Sequence, residues 1–276
     1  MAAQSTEFPA PVRPSAESLP LESSLRQLYP DDIYPNGKCA YFASPNGRVR
    51  YWIVGPTEGA QVVLIHGISA PSIGYQNITA HLVEQGFRVL LYDLHGRGYS
   101  EITKTPSDVN LYTIQLALLL QYVGWHNAYI VGFSMVKPAQ LRPSSDPNSL
   151  PLKVGSAPFL TLILALQSLY QIRELQAKAF RGYQQLIQHD LRFGPITGLE
   201  VAFKALASPL PGKKEPLRVL IVHGTEDDIV PFTEAAKIQA AVPQAQLVKI
   251  EGANHFLVFQ EGYWQQVAES ISKFLS

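Results

Sequence analysis

Three residues far apart in the chain carry side chains that together could move an acyl group: Ser134, Asp227 and His255. A serine hydroxyl is a weak nucleophile and needs both a base beside it and a backbone that exposes it. Ser134 lies in Gly132-Phe133-Ser134-Met135, directly after the apolar run 128–133, which reads as a buried strand. A sharp strand-to-helix turn there would lift Oγ above the sheet edge, with Gly132 sparing the turn a crowding side chain. The competing reading is a small residue that merely ends a strand. His255, in Glu251-Gly252-Ala253-Asn254-His255-Phe256, supplies the base, because a neutral imidazole can take the serine proton and return it to a leaving group. Asp227, in Glu226-Asp227-Asp228-Ile229-Val230-Pro231, can fix the imidazole tautomer and stabilise its cation. Glu226 and Asp228 compete for that role. Asp228 has the alternative of capping the next segment, and Asp227 is preferred.

A tetrahedral intermediate also needs donors for its oxyanion. His66-Gly67-Ile68 follows a second strand-like run, and the amides of Ile68 and Met135 are the candidates. Gly67 lets the backbone come close to a ligand, and His66 itself reads as a satisfied structural histidine. His81, His126 and His189 fall in helical or turn contexts, His95 in a glycine-rich loop, and His223 beside Gly224; none is assigned chemistry. Gly96-Arg97-Gly98 is followed by Glu101 where a dinucleotide fingerprint needs glycine. No pair of Cys or His residues has metal-ligand spacing.

Short apolar runs alternating with helical patterns must position these residues. Strands are predicted at 38–42, 48–54, 60–65, 87–92, 128–133, 217–222 and 246–250. Asn46-Gly47 marks a hairpin turn, since both residues tolerate positive φ. Helices are predicted at 75–85, stopped by Gly86, and at 108–123, with Leu111, Ile114, Leu118 and Tyr122 on one face. Further helices fall at 159–206 (broken near Gly194-Pro195), 233–241 and 262–275. The runs Val62-Val63-Leu64-Ile65 and Val219-Leu220-Ile221-Val222 suit strands covered on both faces, hence an α/β fold with a mostly parallel sheet. Loops leaving such strands emerge at the carboxyl edge, where ligands bind.

Composition narrows the class. The 276 residues are 46% hydrophobic, enough for one large domain, 25–276, behind a proline-bearing lead, 1–24. The lead lacks the basic start and apolar run of a secretory signal and reads as a flexible segment or a surface strap. Asn77-Ile78-Thr79 matches a glycosylation acceptor but means little without such a signal. Lys+Arg and Asp+Glu are both 22, which leaves no electrostatic case for nucleic acid or an anionic membrane as partner. Cys39 is the one cysteine, so no intrachain disulfide forms, which fits a reducing compartment and an expected cytoplasmic location. The uncharged stretch 154–172 carries Gly155, Pro158, Gln167 and Gln171 and suits a cap or buried helix better than a membrane span.

His66-Gly67, Asp93-Leu94-His95-Gly96-Arg97-Gly98-Tyr99-Ser100 and Gly132-Phe133-Ser134-Met135 resemble the esterase, lipase and C–C hydrolase branch of the α/β-hydrolase superfamily. Residues 223–231 and 252–255 are similar to its acid and base loops, in the same chain order of Ser, Asp, His. The resemblance covers about 38–135 and 217–275. It implies a helical cap at 159–206, a structural role for 93–100, and a small acyl substrate handled with neither a metal nor an organic cofactor. The chain departs from that pattern after the nucleophile. Val136 stands where the tight turn wants no side chain, and strain there costs ~1–3 kcal/mol. Pro138, Pro143, Pro147 and Pro151 break the insert 137–158, so that the elbow helix and the strand after it are expected to be missing. Three functions stay open: an esterase-type hydrolase, a thioesterase or C–C hydrolase of secondary metabolism with the same triad, and an impaired or non-catalytic hydrolase-like binding protein. The apolar stretch 159–166 with Phe180 and Tyr183 could line an acyl pocket, though plain core is the preferred reading.

Overall fold

Alternating side chains along short apolar strands face opposite sides of a sheet, and here both sides are used. The computed structural model describes residues 13–34, 37–134, 160–194, 200–210 and 212–276, with backbone alone for 160–168. Strands β1 (Lys38–Ser44) and β2 (Gly47–Val54) form an antiparallel hairpin. With β3 (Gln61–Ile65), β4 (Arg88–Tyr92) and β5 (Tyr129–Gly132) they make a mixed sheet in the order β1-β2-β4-β3-β5. β3 lies parallel to both β4 and β5. β6 (Val219–Gly224) and β7 (Ala245–Ile250) form a separate parallel pair.

Val62, Leu64, Val89 and Leu91 face one core with Tyr29, Trp52, Ile78 and Leu82. Val63, Leu90 and Tyr92 face the other with Leu111, Leu119 and Trp125. Burying each such Val or Leu stabilises by about 1.5–3 kcal/mol, so three consecutive buried residues on β3 hold the centre of the sheet firmly. After α1 (Ser24–Leu28), helix α2 (Gln76–Glu84) covers the first face and contacts α8 (Trp264–Leu275). Helix α3 (Val109–Val123) covers the second, its start capped by Asp108, which accepts from the Leu111 amide at 2.9 Å. Cap helices α4 (Leu160–Ala179), α5 (Tyr183–Phe193) and α6 (Glu200–Leu206) come between β5 and β6 in the chain, and α7 (Thr233–Ala241) links β6 to β7. No helix among the described residues is long and apolar enough to cross a membrane.

Several local expectations shift. The hairpin turn is Pro45-Asn46 rather than Asn46-Gly47: Ser44 pairs with Gly47, and only Gly47 takes positive φ. The Ser44 hydroxyl accepts from the Asn46 amide at 3.1 Å and donates to the Gly47 carbonyl at 2.8 Å, which draws the register one residue earlier. On α3 the buried stripe is Leu111, Tyr112, Gln115 and Leu119, while Ile114 and Tyr122 are exposed. Gln115 turns inward because its side chain has buried partners, donating to the Asp93 carbonyl at 3.0 Å. The run Val219-Leu220-Ile221-Val222 is half-buried, not enclosed. Among the described residues β6 pairs only with β7 and β5 only with β3, so neither has a neighbour on its other edge. The insert 137–158 lies outside the described residues. Of the lead, residues 13–19 lie across the loop after β4, with the Ala16 amide donating to the Gly98 carbonyl at 2.8 Å.

Candidate active site

Ser134 comes two residues after the end of β5 and holds φ at 66°, the one non-glycine residue with positive φ among those described. That conformation crowds Cβ against the carbonyl and costs roughly 1–2 kcal/mol. It brings Oγ to 2.6 Å from His255 Nε2. His255 Nδ1 is 2.8 Å from Asp227 Oδ2. The other carboxylate oxygen of Asp227 accepts from the amides of Ile229 (3.0 Å) and Val230 (2.7 Å). One residue therefore both orients the imidazole and ties its own loop, while Glu226 and Asp228 point into solvent.

The loops that carry acid and base are stitched together. Glu226 N donates to Ala253 O at 2.9 Å, and Gly252 N to the Thr225 hydroxyl at 2.9 Å. Gly224 makes this approach possible, for a Cβ there would meet the Ala253 carbonyl at 2.2 Å. The Phe133 ring lies 5.4 Å from the His255 ring and 5.2 Å from Phe259, so an aromatic wall limits rotation of the imidazole. Burial alone would push the Asp227 carboxyl up. Hydrogen bonds from His223 and His255, the charge of His255 and the Val230 amide outweigh it and hold the carboxyl well below the usual range. An ionised Asp227 can only accept, which assigns the proton to His255 Nδ1 and leaves Nε2 to accept from Ser134.

His223 is the residue missed in the sequence. Its Nε2 sits 2.8 Å from the Val230 carbonyl and 3.4 Å from Asp227 Oδ2. Burial works against its cation, yet the bonds to Asp227 and Val230 raise its pKa. No helical pattern links positions 223 and 227 across a strand end, so the pairing had no local signal.

Among the described residues nothing lies within 4 Å of where a Cβ on Gly132 would point, and the turn that this glycine is expected to spare continues outside them. The crowding is at Gly67, where a Cβ would come 3.1 Å from Ser134 Cβ. Ile68 follows at once, half-buried, so its peptide borders Ser134. Met135, the second expected oxyanion donor, and Val136 lie outside the described residues, as do the side chains of 159–166. Phe180 and Tyr183 are buried in the main core. The loop 93–100 is buried throughout, as a structural loop should be.

These features define an α/β-hydrolase-fold protein with a serine, a histidine and an aspartate meeting at the carboxyl edge of its strands. The family described as alpha/beta hydrolase fold matches residues 61–135. Among similar proteins, a non-heme chloroperoxidase of Streptomyces lividans is 24% identical over 73% of this chain and 87% of its own length. A bifunctional esterase/perhydrolase of Acinetobacter calcoaceticus is 24% identical over 79% of this chain and 91% of its own. Among solved structures, a carboxylesterase of Bacillus subtilis superposes with a TM-score of 0.70 at 15% identity, covering 91% of this chain and 96% of that one.

Proposed function

We propose that the protein is a serine hydrolase acting on an ester or related acyl bond of a small apolar substrate. The supporting observation is the unbroken relay from Ser134 Oγ through His255 to Asp227, at 2.6 and 2.8 Å. In this reading Ser134 Oγ attacks the acyl carbon as its proton passes to His255 Nε2. The amides of Ile68 and Met135 receive the oxyanion. The imidazolium, stabilised by Asp227, protonates the departing alkoxide and leaves an acyl-serine. Water then attacks through the same imidazole, releasing the acid and restoring the hydroxyl.

The test is turnover of p-nitrophenyl acetate together with labelling by a fluorophosphonate. Ser134→Ala is expected to lower kcat by at least ~10³-fold and to abolish labelling. A folded protein that neither turns over nor labels would leave the binding-protein reading, which Val136 and the proline-rich insert favour in the sequence.

A second reading draws on the relatives named for peroxidase and perhydrolase activity. Hydrogen peroxide in place of water at the second step would release a peroxy acid from the same acyl-serine. Peroxy acid formation from ester and peroxide, lost in Ser134→Ala, would support it; ester hydrolysis with no peroxy acid would reject it.

A further inference from the structure

His66 is buried at the end of β3, and the reaction described above does not use it. Both of its ring nitrogens are engaged. The Leu94 amide donates to Nε2 at 2.9 Å, and Nδ1 lies 2.7 Å from the carbonyl of Gly67, the next residue. Nε2 accepts and therefore carries no proton, so the neutral ring bears its hydrogen on Nδ1 and donates it to Gly67. Burial holds the ring neutral, pushing its pKa down to about 3. In a trans peptide the C=O and the following N–H point in opposite directions. Drawing the Gly67 carbonyl back toward His66 therefore turns the Ile68 N–H the other way. The next peptide is gripped too, since Arg97 Nε donates to the Ile68 carbonyl at 2.9 Å. No described residue accepts from the Ile68 amide. The peptide in question borders Ser134, as the 3.1 Å approach at Gly67 establishes.

We propose that His66 is a positioning residue: through Nδ1–H it locks the 67–68 peptide so that the Ile68 amide faces the oxyanion that forms over Ser134. The inference rests on Ser134 being the nucleophile. It assigns the histidine a role beyond joining two loops, because only one of its two bonds bears on the reaction.

That asymmetry supplies the test. An asparagine amide can stand where Nδ1 is, and a glutamine amide where Nε2 is. His66→Gln keeps an acceptor for Leu94 but loses the donor to Gly67. It is expected to lower kcat on p-nitrophenyl acetate by about 10²-fold, the effect of losing one oxyanion donor, with KM within about twofold. His66→Asn keeps the donor and loses the acceptor. It is expected to recover at least about tenfold of that kcat while melting lower than His66→Gln. Two variants losing activity in step with stability, or a His66→Gln enzyme with wild-type kcat, would overturn the proposal. Should wild type neither label with fluorophosphonate nor turn over, the nucleophile reading fails on its own. The positioning role is then decided by a crystal structure of His66→Gln: a rotated 67–68 peptide supports it, and an unmoved one rejects it.

Discussion

Ser134 pays for its exposure with backbone strain. Its φ of 66° suits glycine far better than serine, so Ser134→Gly should remove the proposed nucleophile and stabilise the fold by up to about 1 kcal/mol. A urea-unfolding midpoint that falls instead would mean the turn is not strained. Asp227 has two jobs at one carboxylate, accepting from His255 and from two amides of its own loop. In Asp227→Asn the amide oxygen can still serve the loop, but its NH₂ cannot accept from His255 Nδ1–H. The ring then takes the other tautomer, and Nε2 no longer accepts from Ser134. A fall in kcat of about 10³–10⁴-fold with the fold retained is expected. Steady-state rates within tenfold of wild type would put the orienting role elsewhere.

At the scale of elements, the cap is fastened to the sheet by a buried ion pair. Arg97, in the loop after β4, bonds to Asp190 of α5, and both side chains are wholly buried. The Tyr112 hydroxyl of α3 donates to the other Asp190 oxygen at 2.7 Å and accepts from Arg97 at 2.9 Å. Such a pair is strained in its dependence on both partners: removing one leaves a buried charge. Arg97→Met should cost about 3–5 kcal/mol, and adding Asp190→Leu should recover more than half of it. Chemical denaturation of the single and double variants measures this. Equal losses in the two would mean the ion pair is not what couples cap to sheet. Because Arg97 also holds the Ile68 carbonyl, the cap and the loop beside Ser134 share one anchor.

For the whole molecule, three buried titratable groups dominate how stability depends on pH between about 4 and 6. Burial holds His66 down to about 3 and His95 down to about 4. In the unfolded chain both would be protonated below about 6.5, so the unfolded state binds more protons between pH 4 and 6.5 and stability rises with pH there. Asp93 works the other way. Burial lifts its carboxyl to about 6, despite donors from Ser72, Tyr99 and Tyr29, so folding takes up a proton between about pH 4 and 6 and its contribution falls as pH rises. Two histidines outweigh one aspartate. The expected net slope is about 1.4 kcal/mol per pH unit across that window, fully developed by about pH 6.5. In His95→Gln that slope should vanish, since one histidine then balances Asp93. Unfolding free energies measured from pH 4 to 7 decide it; an unchanged slope in His95→Gln would show that His95 is not kept neutral by the fold.

Much of this was legible along the chain. The strand and helix alternation follows from side-chain period, which neighbours in sequence dictate. The stop at Gly86 follows from backbone chemistry within a few residues. The three site residues could be named, with their order, because each stands just past an apolar run, and parallel strands send their loops to one edge. The sequence preferred Asp227 among three adjacent acids but left Glu226 and Asp228 open; tertiary structure decided it, since successive side chains in a turn point different ways. It also decided that Gln115 rather than Ile114 faces inward, that Gly67 lies against Ser134, that His223 reaches Asp227 and that His66 reaches Leu94. Those contacts join residues tens of positions apart, turn on the orientation of one peptide or, for His223 and Asp227, depend on how the chain bends after β6, and none of these is encoded in a local pattern of residue types.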